Sequence, residues 1–488
     1  MTEPHLKSKV VKGAWWAFLE RLLPQMIMLF ITPFLARILS PKEFGIFALA
    51  CVCVGFLDLF SDYGFGSAII QKKNLQEVDK KTAFLFSCVV GTILFVGMFF
   101  LAKPLALFLH EPQLSLLLKV IAISFLLSPF IGIHNALLQR HMQFRSLTKA
   151  KVSGVFVYGV VALVMALMGF GVWALVCAFL AEHVVRVGVL SYYSRWHYCF
   201  GYSKESIKHF FNYGIYLFLF RICNYLSMQL DKIIIGRSIG VNMLGYYSMA
   251  DNVSKKIFTF MGIPLGKVLF PAFSTIHENN QRMKNIIVEV YKHISYIVLP
   301  LSFGLFCIAH EVVLLFLGPK WVQSVIFIRI LSVSGGCMVL GGLVGSVFLA
   351  TARTEIHFKL GLFNSIVRIV AVIIGACWGA IGMAVGLVII QIGMMFWNPY
   401  IMCRIIGLKY KSLVIVILKP LAMSLVMVGG ILFIGIFLPV QNYFFANLSN
   451  LIIKTIFGAT SYICLNRLFG CYLDKSIISM VKRAVQNK

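Results

Sequence analysis

Long apolar runs separated by short polar connections make up the whole chain. A membrane-spanning helix needs about 20 mainly apolar residues, and fourteen stretches of this kind can be marked. They cover residues 12–36, 44–66, 82–102, 115–138, 152–169, 171–193, 210–235, 243–265, 286–308, 325–350, 358–376, 379–402, 412–438 and 448–469. The pattern therefore predicts an all-α integral membrane protein with about 14 transmembrane helices.

Proline and glycine fall inside several of the predicted helices. Pro24 and Pro33 lie in the first, Pro129 in the fourth, Pro264 at the end of the eighth, and four glycines in the tenth, within 335–342. We expect these residues to interrupt their helices. Such breaks persist in a membrane where neighbouring helices or water satisfy the freed backbone groups.

The composition agrees with a membrane protein and excludes several functional classes. The chain is 60% hydrophobic and 12% charged, whereas soluble domains have about 25% charged residues. The formal net charge is +27, but there is no basic segment long enough to fold as a separate nucleic-acid-binding domain, so we expect no nucleic-acid partner. The 12 cysteines form no C-x-x-C motif, and we expect no metal cofactor.

Lysine and arginine are concentrated in alternate connections, beginning with the N-terminal segment. The opposite set of connections holds only Arg37, Lys42, Lys103, Arg237 and Lys320. Because basic residues favour the cytoplasmic side, this bias predicts that both termini are cytoplasmic, which agrees with an even number of helices. The first apolar run is too long for a signal peptide and predicts a retained spanning helix.

An internal repeat appears when the chain is shifted by 200 residues. Residues 18–66 and 218–266 then align without gaps, with matches that include Arg21/Arg221, Arg37/Arg237 and Gly45/Gly245. The repeat predicts two pseudo-symmetric six-helix bundles, 1–203 and 204–403, followed by a helix pair and a cytoplasmic tail in 404–488. Parallel repeats of this kind place a substrate site between the halves, near the membrane midplane.

Several arginines lie inside the predicted helices. A charge at the centre of a spanning helix costs about 2.5–3.5 kcal/mol on insertion scales, so it usually faces a cavity or a partner. Arg21, Arg221 and Arg368, with Asn224 beside them, are the candidate substrate-binding residues. Since arginine binds phosphate bidentately, they predict a cationic cavity for an anionic substrate.

Acidic residues also fall inside the predicted helices. Candidates for carrying a coupling H⁺ or Na⁺, or for gating, are Glu20, Asp58, Asp62, Asp231 and Asp251. No other cofactor is expected.

Two features of the predicted helices allow more than one interpretation. Glu182 and Arg186, four residues apart, either pair with each other or face a cavity. Six aromatic residues either stack on sugars or serve in interface belts and helix packing: Tyr213, Tyr216, Tyr225, Tyr246, Tyr247 and Trp397.

Several motifs of the chain are shared with one known family. They include Leu35-Ala36-Arg37-x-Leu39-Ser40-Pro41-x-x-Phe44-Gly45, Leu138-Gln139-Arg140-x-Met142-x-Phe144-Arg145, Gly169-x-Gly171-x-Trp173-Ala174-Leu175-Val176 and Val268-Leu269-Phe270-Pro271-Ala272-Phe273-Ser274. With these motifs the chain resembles the Wzx-like polysaccharide and lipid-linked oligosaccharide flippases. The resemblance is to the colanic-acid and teichuronic-acid exporter branch of the multidrug/oligosaccharidyl-lipid/polysaccharide exporter superfamily.

The resemblance implies a V-shaped exporter fold and a transport function without catalysis. The implied substrate is an undecaprenyl-diphosphate-linked oligosaccharide, such as an O-antigen or exopolysaccharide repeat unit, moved across the bacterial inner membrane by alternating access. The acidic residues inside the helices add the expectation that transport is coupled to a cation. Expected partners are membrane lipids, a polysaccharide polymerase and a chain-length regulator. Asp231 and Arg37 match the family's pattern, while Asp251 stands where the family more often has an aromatic residue.

Two other functions fit a polytopic membrane protein. A cation-coupled multidrug exporter on the same fold would favour an acidic, aromatic pocket over one containing arginine. A membrane glycan polymerase or glycosyltransferase is disfavoured because the sequence has no D-x-D motif and no large extracytoplasmic loop.

Overall fold

The computed structural model describes residues 3–61, 69–70, 72, 75–196, 201, 204–276, 280–437 and 444–469. These residues are almost entirely helical and contain no β-strand. The chain divides into two compact units, Met1–Met249 (unit 1) and Ala250–Lys488 (unit 2). The predicted domain limits at 203/204 and 403/404 stay a prediction.

Unit 1 contains eight helices and the start of a ninth, counted over its described residues. They are α1 (Glu3–Ile38), α2 (Pro41–Ser61), α3 (Glu77–Phe108), α4 (Gln113–Ile121), α5 (Ile123–Arg140), α6 (Phe144–Leu167), α7 (Val172–Ser194), α8 (Lys204–Ser238) and α9 (Val241–Ile276). Helix α9 is continuous across the boundary between the two units.

Unit 2 contains the rest of α9 and six further helices within its described residues. They are α10 (Asn280–Val312), α11 (Ser324–Ala350), α12 (Thr354–Ala376), α13 (Gly379–Ile406), α14 (Tyr410–Phe437) and α15 (Phe444–Leu468). A π-helical turn (Val313–Leu317) and a short 3₁₀ turn (Pro319–Trp321) connect α10 to α11.

Within the described residues the fourteen predicted stretches all coincide with helices, so the predicted fold class is confirmed. The fourth stretch is divided into α4 and α5 at Ala122. Twelve helical segments of the described residues are long and apolar enough to span a membrane. The protein is therefore a multi-pass membrane protein.

The expectation that proline and glycine interrupt helices was wrong. Helices continue through Pro24, Pro33 and Pro129, and α9 runs past Pro264 to Ile276. The reason is that lipid cannot satisfy an opened backbone, so a continuous helix is favoured wherever neighbouring groups compensate for the missing donor.

The glycines of α11 serve close packing instead of a break. A Cβ on Gly335 would lie 2.1 Å from the ring of Phe258, and one on Gly336 would lie 1.9 Å from Ser302 Oγ. Small residues let neighbouring helices approach closely, which is how helices associate where the hydrophobic effect is weak.

In unit 1, α6 packs along α7 and α1. Their contact is built on Leu35 and Leu39 of α1 with Tyr158 and Ala162 of α6 and Ala174 of α7, all of them buried. Helix α2 packs against α8. This arrangement places the polar faces of α2 and α7 in one bundle.

In unit 2, α11 packs against α13 and α10, and α10 packs against α14. The buried core between them includes Phe258, Tyr291, Phe348, Met402 and Ile417. Helix α15 lies against α14 and α10, which leaves a groove between these three helices.

Candidate functional site

A cavity of about 330 Å³ lies in unit 1 between α2, α4, α5 and α7. Its polar lining includes Asp58 of α2, Ser124 and Ser128 of α5, and His183 and Arg186 of α7. Most of the other lining side chains are apolar. The cavity is therefore a small polar chamber inside a hydrophobic bundle.

The carboxylate of Asp58 is held at the C-terminal end of α2. Ser61 Oγ donates to Asp58 Oδ1 at 2.7 Å, and Ser128 Oγ donates to Ser61 Oγ at 3.2 Å. This chain of hydroxyl groups links the last turn of α2 to α5. Oδ2 of Asp58 has no hydrogen-bond partner among the described residues, although the carboxylate interacts electrostatically with His183.

His183 has one ring nitrogen engaged by its own helix. Its Nδ1 lies 2.8 Å from the carbonyl oxygen of Phe179, and because a carbonyl only accepts, this bond assigns the proton to Nδ1. The ring of Phe179 lies 4.4 Å from the imidazole, centroid to centroid. Nε2 is then the nitrogen that accepts a hydrogen bond.

Arg186 and Glu182 form an ion pair, with Arg186 Nη1 3.9 Å from Glu182 Oε1. Pairing was one of the two interpretations of their spacing in the sequence. Their stems lie over Gly154 of α6, where an added Cβ would be 2.7 Å from Arg186 Cγ. Arg186 also lines the cavity. Its Nε is buried and has no hydrogen-bond partner among the described residues.

The charges of this region continue onto α1 and α6 through Lys151. The side chain of Lys151 interacts electrostatically with Glu20, Arg186, Arg21 and Glu182. The structure thus brings two predicted site residues, Glu20 and Arg21, into one electrostatic group with the pair on α7. Neither Lys151 nor His183 was among the predicted site residues.

Asp62, another predicted residue of unit 1, lies outside the described residues. The remaining predicted residues of unit 1 lie on α8. Arg221 is half-buried and Asn224 is exposed. Asp231 is fully buried and accepts a hydrogen bond from Tyr247 Oη at 2.6 Å. Its carboxylate is thus tied to the first turns of α9.

The remaining predicted residues lie in unit 2. Arg368 is half-buried on α12. Asp251 is buried and pairs with Lys255 one turn further along α9, at 2.7 Å. That Arg21, Arg221 and Arg368 share one cavity stays a prediction.

Unit 2 contains an apolar groove of about 380 Å³ between α10, α14 and α15, with Ile257 of α9 contributing to its wall. Its lining is aliphatic apart from Lys454, Thr455 and Tyr462. Gly304 opens the groove, because an added Cβ there would meet no atom within 4 Å. The groove is therefore mainly apolar.

Lys454 connects the groove to a buried charge cluster. Its ammonium pairs with Glu311 of α10, a residue that is 4% exposed. Cys307, Lys454, Arg329 and Glu311 interact electrostatically. Oε2 of Glu311 is buried without a hydrogen-bond partner among the described residues.

The described residues contain no group of three or more His, Cys, Asp or Glu side chains arranged to hold a metal ion.

Comparison with known proteins identifies the family. Residues 34–326, more than half of the chain, match the family described as "Polysaccharide biosynthesis protein". The chain belongs to this family. The predicted resemblance to polysaccharide exporters is thereby confirmed.

Curated relatives match over most of their length. The chain is 26% identical over 424 residues to the lipopolysaccharide biosynthesis protein WzxC of Escherichia coli K12, with 86% of each chain covered. It is 24% identical over 473 residues to the teichuronic acid biosynthesis protein TuaB of Bacillus subtilis, with 95% of this chain and 96% of the relative covered.

Solved structures confirm the exporter fold. The lipid II flippase MurJ in an inward closed conformation superposes with a TM-score of 0.75 at 14% identity, covering 94% of this chain and 98% of that one. An inward-facing multidrug resistance transporter of the MATE family gives 0.63 at 16% identity, covering 80% and 98%. At such identities these likenesses concern the fold alone.

Proposed function

We propose that this protein is a flippase that moves an undecaprenyl-diphosphate-linked oligosaccharide across the bacterial inner membrane by alternating access. The oligosaccharide is an O-antigen or exopolysaccharide repeat unit. The observation that carries the proposal, within this family, is that one chain holds both a polar chamber in unit 1 and an apolar groove in unit 2. A lipid-linked sugar combines these two chemistries in one molecule.

The diphosphate is assigned to Arg221, with Arg21, Arg368 and Asn224 as further contacts. Arginine stays charged in a membrane and offers a planar fork that matches phosphate oxygens. A cation inside a helix bundle that binds no anionic partner would destabilise the protein.

The polyprenyl chain is assigned to the groove of unit 2. Its aliphatic lining gives a chain the same environment as the lipid it leaves, so the chain moves between them with little change in free energy. Gly304 keeps the groove open.

Transport is proposed to be coupled to H⁺ or Na⁺ through an intramembrane acid. Asp231 accepts a hydrogen bond from Tyr247, and Asp251 forms an ion pair with Lys255. Of the candidate acids within the described residues, Glu20 and Asp58 are therefore the better ones for coupling. Asp58 is exposed in the cavity, and its described hydrogen bonds come from Ser61 alone.

The protein lies in the bacterial inner membrane and works beside other proteins of glycan synthesis. Both termini are cytoplasmic, as the basic connections favour. The partners are membrane lipids, a polysaccharide polymerase and a chain-length regulator. The protein itself makes or breaks no covalent bond.

The test is complementation of cells that lack the gene. The wild-type chain should restore export of the surface glycan, and Arg221→Ala at equal membrane level should abolish it. Export by that variant at the wild-type rate would overturn the assignment of the diphosphate to Arg221. Restored resistance to drugs without restored glycan would favour the multidrug exporter instead.

A further inference from the structure

The cavity of unit 1 has a mixed set of hydrogen-bonding groups. A carboxylate (Asp58), an imidazole (His183), a guanidinium (Arg186) and the hydroxyl groups of Ser124 and Ser128 line one small volume. The neighbouring Phe179 adds an aromatic face to the wall. Together these side chains offer a ligand both hydrogen-bond donors and hydrogen-bond acceptors within one small volume.

The charge balance of the cavity does not suit a diphosphate. Arg186 is already paired with Glu182, and the carboxylate of Asp58 adds negative charge to the wall. A phosphate would therefore meet one cation that is already neutralised and one carboxylate that repels it. A compact, uncharged polar ligand is the better match.

Two polar atoms of the lining side chains have hydrogen-bonding capacity that the described residues leave unused. The Nε–H of Arg186 is a buried donor that lacks an acceptor among the described residues. Oδ2 of Asp58 is an acceptor left over by the bond from Ser61. A buried donor without a partner is destabilising, and the guanidinium of Arg186 has a single described ion-pair contact, to Glu182, so an acceptor oxygen of a ligand would add to its hydrogen bonding.

We propose that this cavity binds one sugar residue of the transported lipid. Asp58 accepts, and Arg186 donates, hydrogen bonds to its hydroxyl groups. The inference rests on the proposed function, because it names the part of the substrate that this cavity holds. Sugar hydroxyls both donate and accept, which matches the mixed lining.

The size and wall of the cavity agree with a single sugar. A volume of about 330 Å³ is at the small end of ligand sites, which span about 300–1,000 Å³. The apolar side chains of Val54, Ile121 and Ile131 and the ring of Phe179 complete the wall. They suit the C–H faces of a sugar ring.

The assignment also gives Asp58 a place in cation coupling. A bound cation and a sugar hydroxyl use the same carboxylate oxygens, so each weakens the binding of the other. Such reciprocal weakening is what an exchanger requires of its two ligands.

The experiment compares two lipids on the purified full-length protein. One is the lipid-linked sugar precursor that accumulates in cells lacking the gene, and the other is undecaprenyl diphosphate without sugar. Binding is measured by titration of each lipid into protein in nanodiscs. The wild-type protein should prefer the sugar-bearing lipid.

Two variants should lower that preference. Asp58→Ala removes the acceptor, and Arg186→Lys keeps the charge but removes the Nε donor. Each should reduce the preference by about tenfold, since a hydrogen bond to a charged group contributes that much or more, while binding of the bare lipid stays unchanged. Asp58→Asn keeps the shape of the side chain and should give a smaller loss.

The matched control is Gly188→Leu on the same helix. Gly188 is exposed, and an added Cβ there meets no atom within 4 Å. The preference should stay at the wild-type value in this variant.

The outcomes separate the two proposals. If wild-type protein binds both lipids equally, or if the cavity variants keep the full preference or lose both lipids to the same degree, the sugar assignment is overturned and the flippase function stands. If the wild-type protein binds neither lipid, both the proposed flippase function and the sugar assignment are overturned.

Discussion

Gly45 and Gly245 contact each other's helices in the same way. A Cβ on Gly45 would lie 1.9 Å from the carbonyl oxygen of Val241, and a Cβ on Gly245 would lie 1.9 Å from the carbonyl oxygen of Pro41. Both pairs of residues are separated by 200 positions. The first turns of α2 and α9 therefore pack with local twofold symmetry, backbone against backbone, where the sequence repeat aligns the two glycines.

The first prediction concerns this contact. Replacing Gly45 or Gly245 with alanine should lower the free energy of unfolding by about 1–3 kcal/mol, the usual effect of overpacking a tight contact. The added methyl overlaps a carbonyl oxygen, so the two helices must move apart. Thermal unfolding of purified protein in detergent measures the effect.

The control for this contact is Gly429→Ala. Gly429 is exposed on α14 and an added Cβ meets no atom within 4 Å, so its melting temperature should be at least that of the wild type. A wild-type melting temperature in Gly45→Ala would show that the close contact is absent in the membrane protein.

Much of the fold could be predicted because most of the helices have the length and apolar content that a bilayer demands. The repeat could also be predicted, because two glycines and two arginines align without gaps. What failed was the local interpretation of proline and glycine. The sequence does not show that Phe258 and Ser302 pack over the glycines of α11.

The second prediction concerns the groove of unit 2. Gly304→Leu should fill the groove without a clash and should reduce glycan export strongly, because the polyprenyl chain loses its place. The melting temperature should stay within a few degrees of the wild type. Export is measured in cells that lack the gene, at equal membrane level.

Gly429→Leu is the matched control for the groove, because it adds the same side chain at an open position on α14 outside the groove. It should export at the wild-type rate. Equal export by both leucine variants would remove the groove from the substrate path.

The third prediction concerns the buried pair of Glu311 and Lys454. Lys454→Ala should destabilise the protein by about 3–5 kcal/mol, because it leaves a buried carboxylate without its counter-charge. The double variant Glu311→Gln with Lys454→Met removes both charges and should recover most of that loss. Denaturation of the three proteins under one condition measures the difference.

If the double variant is as unstable as Lys454→Ala, the ion pair does not account for the loss, and the packing of the lysine stem against α14 becomes the better explanation.

The fourth prediction concerns the glycine under the ion pair of unit 1. Gly154→Ala places a methyl 2.7 Å from Arg186 Cγ and should displace the guanidinium from the cavity. Binding of the sugar-bearing lipid should weaken, and binding of undecaprenyl diphosphate should not. Unchanged binding of both lipids would show that Arg186 is not placed by this contact.

The candidate site could be predicted only in part, and helix limits explain the gap. The fifth apolar stretch was predicted to start at residue 152, which leaves Lys151 in the connection before it, whereas α6 already begins at Phe144 and includes Lys151. No pattern in the sequence marks His183 as a residue that faces a cavity. Its position beside Glu182 and one turn before Arg186 was the one available indication.

The central claim is that the protein translocates a lipid-linked sugar. The most direct measurement places purified protein in vesicles that carry the accumulated precursor and follows its transfer between leaflets with a lectin or enzyme added outside. Wild-type protein should accelerate transfer well above that of protein-free vesicles, and Arg221→Ala should not. Transfer no faster with wild-type protein than without protein would contradict the account.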